Sequence, residues 1–68
     1  MKVYINNQEV TVHHGATIID AIRTMSESLY SDVIERRLTV YDEFGNETEP
    51  DGPLKESRRF FVRKPDTR

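Results

Sequence analysis

Residues 3–22 read VYINNQEVTVHHGATIIDAI, and the period of the apolar residues changes partway along. Val3 and Ile5 alternate with Lys2, Tyr4 and Asn6; Val10 and Val12 alternate with Glu9, Thr11 and His13. A period of two marks strands with one buried face. Asn6-Asn7-Gln8 lies between them, and asparagine tolerates positive φ better than most residues, so a tight hairpin is expected. A turn at Asn7-Gln8 sets Ile5 opposite Val10 and Val3 opposite Val12, apolar against apolar, and is the expected register. Past His14-Gly15-Ala16 the period becomes helical. Thr17 reads as an N-cap, with Asp20 three residues on as a short capping box. Ile18, Ala21, Ile22, Met25 and Leu29 form one stripe, which predicts a helix ending near Tyr30 or Ser31.

Working outward, residues 31–37 read as a connection in which Val33 and Ile34 form a short helical turn. Leu38 to Tyr41 reads as the third strand, with Leu38 and Val40 inward. Residues 42–46 form a turn in which Gly45 and Asn46 suit positive φ. Glu47-Thr48-Glu49 reads as a short edge strand whose charges guard against edge pairing. Pro50-Asp51-Gly52-Pro53 is a break, and Leu54 plugs the core. Arg59 to Arg63 is the last strand, with Phe60 and Val62 inward and Phe61 outward; a bulge there would exchange the two phenylalanines. Pro65 ends it, and residues 65–68 read as a frayed tail.

The chain has 68 residues, room for one domain spanning 1–68 with a thin core. Leu, Ile, Val and Phe supply 17 residues, above the level of a disordered segment. Cysteine is absent, which excludes disulfides, thiolate metal sites and cysteine nucleophiles. No apolar run exceeds four residues and no secretory leader precedes the first strand, so a cytoplasmic domain with no membrane partner is expected. The net charge is −2, yet residues 42–56 sum to −5 and residues 57–68 to +4. The molecule is therefore electrically bipolar.

The order strand, strand, helix, strand, short strand, strand resembles the β-grasp, or ubiquitin-like, fold. Residues 3–22 resemble the opening of β-grasp domains, including ferredoxin-like domains, TGS domains and the sulfur carriers of thiamine and molybdopterin synthesis. Residues 40–62, VYDEFGNETEPDGPLKESRRFFV, look like the second half of the carrier and TGS types. The resemblance implies an α+β fold, a mixed four- to five-stranded sheet packed on one helix. Two departures bear on activity. Sulfur carriers end in Gly-Gly, whereas this sequence closes Lys64-Pro65-Asp66-Thr67-Arg68, so carrier chemistry is expected only of a degenerate member or a trimmed precursor. Ferredoxin-like members hold their cluster with cysteines, and this chain has none.

Catalytic motifs are missing: no phosphate-binding GxxxxGK, no HExxH and no nucleophile elbow occurs. His13 and His14 are neighbours on a strand end and point to opposite faces, poorly placed to share a metal. The carboxylates of residues 42–51 lack calcium-loop spacing. No catalytic residue, cofactor or metal is expected, and the chain is read as a non-enzyme. The candidate working surface is the sheet face away from the helix. Tyr4, Phe61 and Tyr41 (or Thr39) fall on it, flanked by Lys2, Arg59 and Arg63. Aromatic residues and arginine are enriched where proteins dock; aromatic pairs also steady a sheet by packing across strands. A protein partner is expected first. The second reading is RNA or another single strand, stacked on the rings as in a TGS-like domain, with phosphates on the arginines. The oligomeric state is not fixed by the sequence.

Overall fold

The computed structural model describes residues 1–65. Two β-strands, β1 (Lys2–Ile5) and β2 (Gln8–Thr11), are followed by two short helices, α1 (Ile18–Met25) and α2 (Glu27–Ile34), and by strands β3 (Thr39–Asp42) and β4 (Arg59–Arg63). The strands form one sheet in the order β2-β1-β4-β3. β1 pairs antiparallel with β2 and parallel with β4, and β4 pairs antiparallel with β3. This is a β-grasp-like arrangement of a mixed sheet and helices. The expected fraying at the chain end falls on Asp66, Thr67 and Arg68, outside the described residues.

The N-terminal hairpin departs from the expected register by two residues. Val3 lies opposite Val10 and Ile5 opposite Gln8. The turn is Asn6-Asn7, not Asn7-Gln8, because both asparagines take positive φ, +52° and +66°. Two consecutive residues of that conformation match the twist of a two-residue hairpin. A shift of two leaves every side chain on its expected face. Asn6 has a second task. Its backbone N–H donates to the Phe60 carbonyl at 2.9 Å, and its side-chain Oδ1 accepts from the Val62 N–H at 2.9 Å. The side chain thus extends the β1–β4 ladder past the point where β1 turns away.

α1 begins as expected. The Thr17 backbone N–H and hydroxyl both donate to Asp20 Oδ2, at 3.0 and 3.1 Å. Two further free donors of the first turn, the N–H groups of Ile18 and Ile19, reach the carbonyls of Gly52 (3.1 Å) and Pro50 (2.7 Å). The break at residues 50–53 therefore caps the helix. These bonds hold the Asp20 carboxyl below its ordinary pKa, the Thr17 backbone N–H contributing most and the Thr17 hydroxyl next.

The helical span is broken where a continuous helix was expected. Ser26 is extended, and its Oγ accepts from the Leu29 N–H at 3.3 Å, capping α2. The short helical turn expected at Val33 and Ile34 is the last turn of α2, so residues 31–34 continue a helix rather than form a separate connection. α2 ends in a reverse turn with Arg36 at φ +64°, the Arg37 N–H reaching the Asp32 carbonyl at 2.8 Å and the Arg36 N–H reaching that of Val33 at 3.1 Å. Glycine is the usual residue at that position.

One core cluster joins Val3, Ile5, Val10, Val40, Phe60 and Val62 of the sheet to Ile18, Ala21 and Ile22 of α1 and Val33 of α2. Leu38 and Leu54 pack against it half-buried. The third strand starts one residue later than expected. The proposed edge strand at 47–49 reduces to one bridge, Tyr41 to Glu47, and Asn46 does not share the positive φ of Gly45.

Two outcomes follow. Asn6→Gly keeps the turn but removes the acceptor for Val62, and should cost about 1–2 kcal/mol. Asn6→Ala should cost a further ~1–2 kcal/mol, since alanine resists positive φ. Urea unfolding measures both, and an Asn6→Gly variant as stable as the parent would refute the role of Oδ1. Second, a lowered folded-state pKa makes the Asp20 contribution complete above the ordinary aspartate range. It is lost as pH falls through the lowered value. Asp20→Asn should flatten that acid limb in a pH series of thermal melts; an unchanged limb would show the cap to be irrelevant.

Candidate functional site

Strand alternation sends Phe60 and Val62 into the core and leaves Arg59, Phe61 and Arg63 on the opposite face. Phe60 is 3 % exposed, whereas Phe61 is half-buried. β1 contributes Lys2 and Tyr4 to this second face, β2 contributes Glu9 and Thr11, and β3 contributes Thr39 and Tyr41. No described helix packs on this side: the helices share their cluster with the other face.

The register brings these residues together. Tyr4 lies beside Arg59 on β4, and Tyr41 directly opposite Phe61. The Arg59 guanidinium sits 4.5 Å from the centre of the Tyr4 ring, and that of Arg63 sits 4.4 Å from the Tyr41 ring. Phe61 lies between the two stacks. Each stack gains from the attraction of a cation to the ring face, about 0.5–1 kcal/mol at an exposed site. Lys2 Nζ pairs with Glu9 Oε2 at 3.4 Å. Arg59 and Arg63 form no ion pair with any described residue.

Tyr41 differs from the expectation of a wet ring. It is 5 % exposed. Phe61 lies across the strand pair, the Arg63 guanidinium lies over the ring, and the backbone bridges to Glu47 on the outer side. The solvent layer is thus Tyr4, Phe61 and the cations, with Tyr41 as the base on which Arg63 rests.

Two features escaped the sequence reading. A groove of about 430 Å³ opens between the end of α2 and β3, lined by Val33, Ile34, Arg36, Val40, Glu49 and Pro50 among others. Ile34 is 55 % exposed beside it. Phe44, in the turn after β3, is 78 % exposed. A phenylalanine inside an otherwise acidic turn, DEFGNE, was the available signal for the second; the groove, formed by residues 33–40 and 47–50 brought together by the fold, has no such signal. His13 and His14 are exposed and lie outside the groove. Among the described residues no three His, Cys, Asp or Glu side chains are grouped to hold a metal ion, and no helix is long and apolar enough to cross a membrane.

No protein-family model matches the chain. No curated protein and no solved structure matches it either. The β-grasp-like assignment therefore stands on sheet order and strand direction.

The two phenylalanines give a direct check on the faces. Phe60→Ala should destabilise by about 3–5 kcal/mol and unfold much of the protein. Phe61→Ala should leave a folded domain with a clearly smaller loss. Paired circular-dichroism melts decide it, and a larger loss at Phe61 would invert the inside and outside of β4.

Proposed function

We propose that this chain is a non-catalytic binding module that docks a protein partner through the open sheet face. One observation carries the reading: two arginines, stacked on tyrosines and without carboxylate partners among the described residues, bracket Phe61 on a face that no described helix covers. A stacked guanidinium keeps its N–H edge free, and its orientation is held before a partner arrives. Less rotamer freedom is then lost when it grips a carboxylate in fork geometry. Phe61 and Tyr4 supply the apolar area between the two cations, and the cations speed encounter with an acidic partner.

The same rings and arginines suit a stacked single strand. The net charge of −2, with a net −5 in residues 42–56 at the end of β3, favours a protein over a polyphosphate. Function in this reading is recognition, with no bond made or broken.

A photo-crosslinking amino acid at position 61 tests this in a lysate of the source cells. The expected adducts are proteins, insensitive to nuclease, and lost when Arg59→Glu and Arg63→Glu are introduced together. Adducts that persist undiminished in the double variant would remove the arginines from the interface. Adducts that vanish with nuclease would replace the protein partner by RNA.

A further inference from the structure

We propose that the partner this face accepts is a second copy of the same chain, which presents its Phe44 turn head to tail. The inference rests on the reading of the open face as a docking surface and names what docks there. That surface asks for an apolar anchor flanked by carboxylates. Phe44, between Glu43 and Glu47 in sequence, offers both, and at 78 % exposure it is the most exposed large apolar side chain described.

The turn that holds Phe44 is built rigidly. Asp42 Oδ1 accepts from the N–H groups of Phe44 and Asn46, both at 2.9 Å. The Asp42 N–H donates to the Asn46 carbonyl at 2.8 Å, and the Gly45 N–H donates to that of Asp42 at 3.1 Å, with Gly45 at φ +84°. Beyond the turn, the Thr48 N–H reaches the Val40 carbonyl at 2.9 Å and ties the hairpin to β3. None of these bonds uses the phenyl ring, so the scaffold orders the turn without burying it. A turn whose backbone is fixed in advance loses little backbone freedom on docking.

Charge complements shape. Residues 42–56 carry −5, and the facing layer offers Arg59 and Arg63 on either side of Phe61, Lys2 being paired with Glu9. Within one copy the two surfaces meet only at their margins: Glu43 pairs with Arg58 at 3.4 Å and Glu56 Oε2 accepts from the Lys2 N–H at 2.9 Å, while no described carboxylate pairs with Arg59 or Arg63. The knob and the face are different patches, and the head-to-tail contact proposed between them is heterologous, in contrast to a reciprocal two-fold dimer. Each docked copy leaves one knob and one face free, and growth continues unless the rotation closes a ring. Principal extents of 36 × 25 × 19 Å leave room only for a small interface. The association is accordingly weak, salt-sensitive and visible at high protein concentration.

Sedimentation of the full chain over a wide concentration range tests the proposal. The expected result is growth past the dimer in low salt, suppressed in high salt. Phe44→Ser removes the knob, and Arg59→Glu with Arg63→Glu removes the face. Each variant alone should stay monomeric, and their mixture should give a 1:1 complex and nothing larger, since one supplies the intact face and the other the intact knob. Melts of both variants verify that they are folded. Should the charge reversal unfold the domain, concentration-dependent amide shifts of the parent chain answer the same question. They should appear together at Tyr4, Phe61 and Arg63 and at Phe44 to Asn46. A parent chain that stays monomeric throughout, a Phe44→Ser variant that assembles like the parent, a folded pair that ignores each other, or shifts confined to Ile34 and Arg36 would each overturn it. A monomeric parent chain whose position 61 still crosslinks to other proteins would overturn self-docking alone and leave the open face as a docking surface for a different partner.

Discussion

The seam between β1 and β4 joins residues more than fifty positions apart, and only two residue pairs, Tyr4 with Arg59 and Ile5 with Phe60, lie in register along it. So short a parallel pairing is reinforced from outside the ladder. The Asn6 side chain accepts from Val62, the Lys2 N–H donates to Glu56 Oε2 at 2.9 Å, and the Ser57 N–H donates to the Lys2 carbonyl at 2.8 Å. Closing such a long loop costs entropy before any contact repays it. The repayment is the burial of Val3 and Ile5 against Phe60 and Val62, on the order of 1.5–3 kcal/mol for each large side chain. If this seam slipped by one residue, β4 would turn over. Phe61 would enter the core, and the arginines would lose their tyrosines.

Period-two and helical patterns made the faces legible from the residues alone. Val3, Ile5, Val10, Val40, Phe60 and Val62 lie where alternation put them, and Thr17 with Asp20 opens the helix. What stayed illegible shares one cause: the competing arrangements are equal by pattern and separated by backbone geometry. A hairpin turning at Asn6-Asn7 and one turning at Asn7-Gln8 keep the same faces, since the shift between them is two. Apolar matching favoured the second; the positive φ of both asparagines decided for the first. Met25 and Leu29 continue one stripe across Ser26, so periodicity could not show the break that the Ser26 cap introduces. Arg36 and Ser57 take positive φ where residue type gives no warning.

Tyr41 separates two ideas that strand parity merges. Parity says which face a side chain takes; it does not say how wet that face is. Tyr41 and Val40 point to opposite sides and both are buried. A long arginine can lie along a ring and shield it while its charged end stays in water. Arg63 does this over Tyr41 and Arg59 over Tyr4 at nearly the same distance, yet Tyr41 is buried and Tyr4 only half-buried. The exposed chemistry is consequently lopsided, with cations above and rings beneath.

This layering would tie the proposed recognition to stability. Every second residue of β4 belongs to the core and every other one to the open face, so the two surfaces share one backbone and one register. The Cα of an arginine on such a strand cannot shift without moving the phenylalanine and valine that alternate with it, although its side chain can still turn. The backbone of the face is therefore a fixed template, and in the proposed docking selectivity would come from the spacing of guanidinium, ring and guanidinium along the strand. A partner that needs another spacing meets unpaired charge rather than an adjustable surface. The free Phe44 turn, braced by its own aspartate, is equally rigid. Rigid surfaces of opposite sign favour contacts that are specific in geometry though modest in strength, because neither side is ordered at the moment of docking.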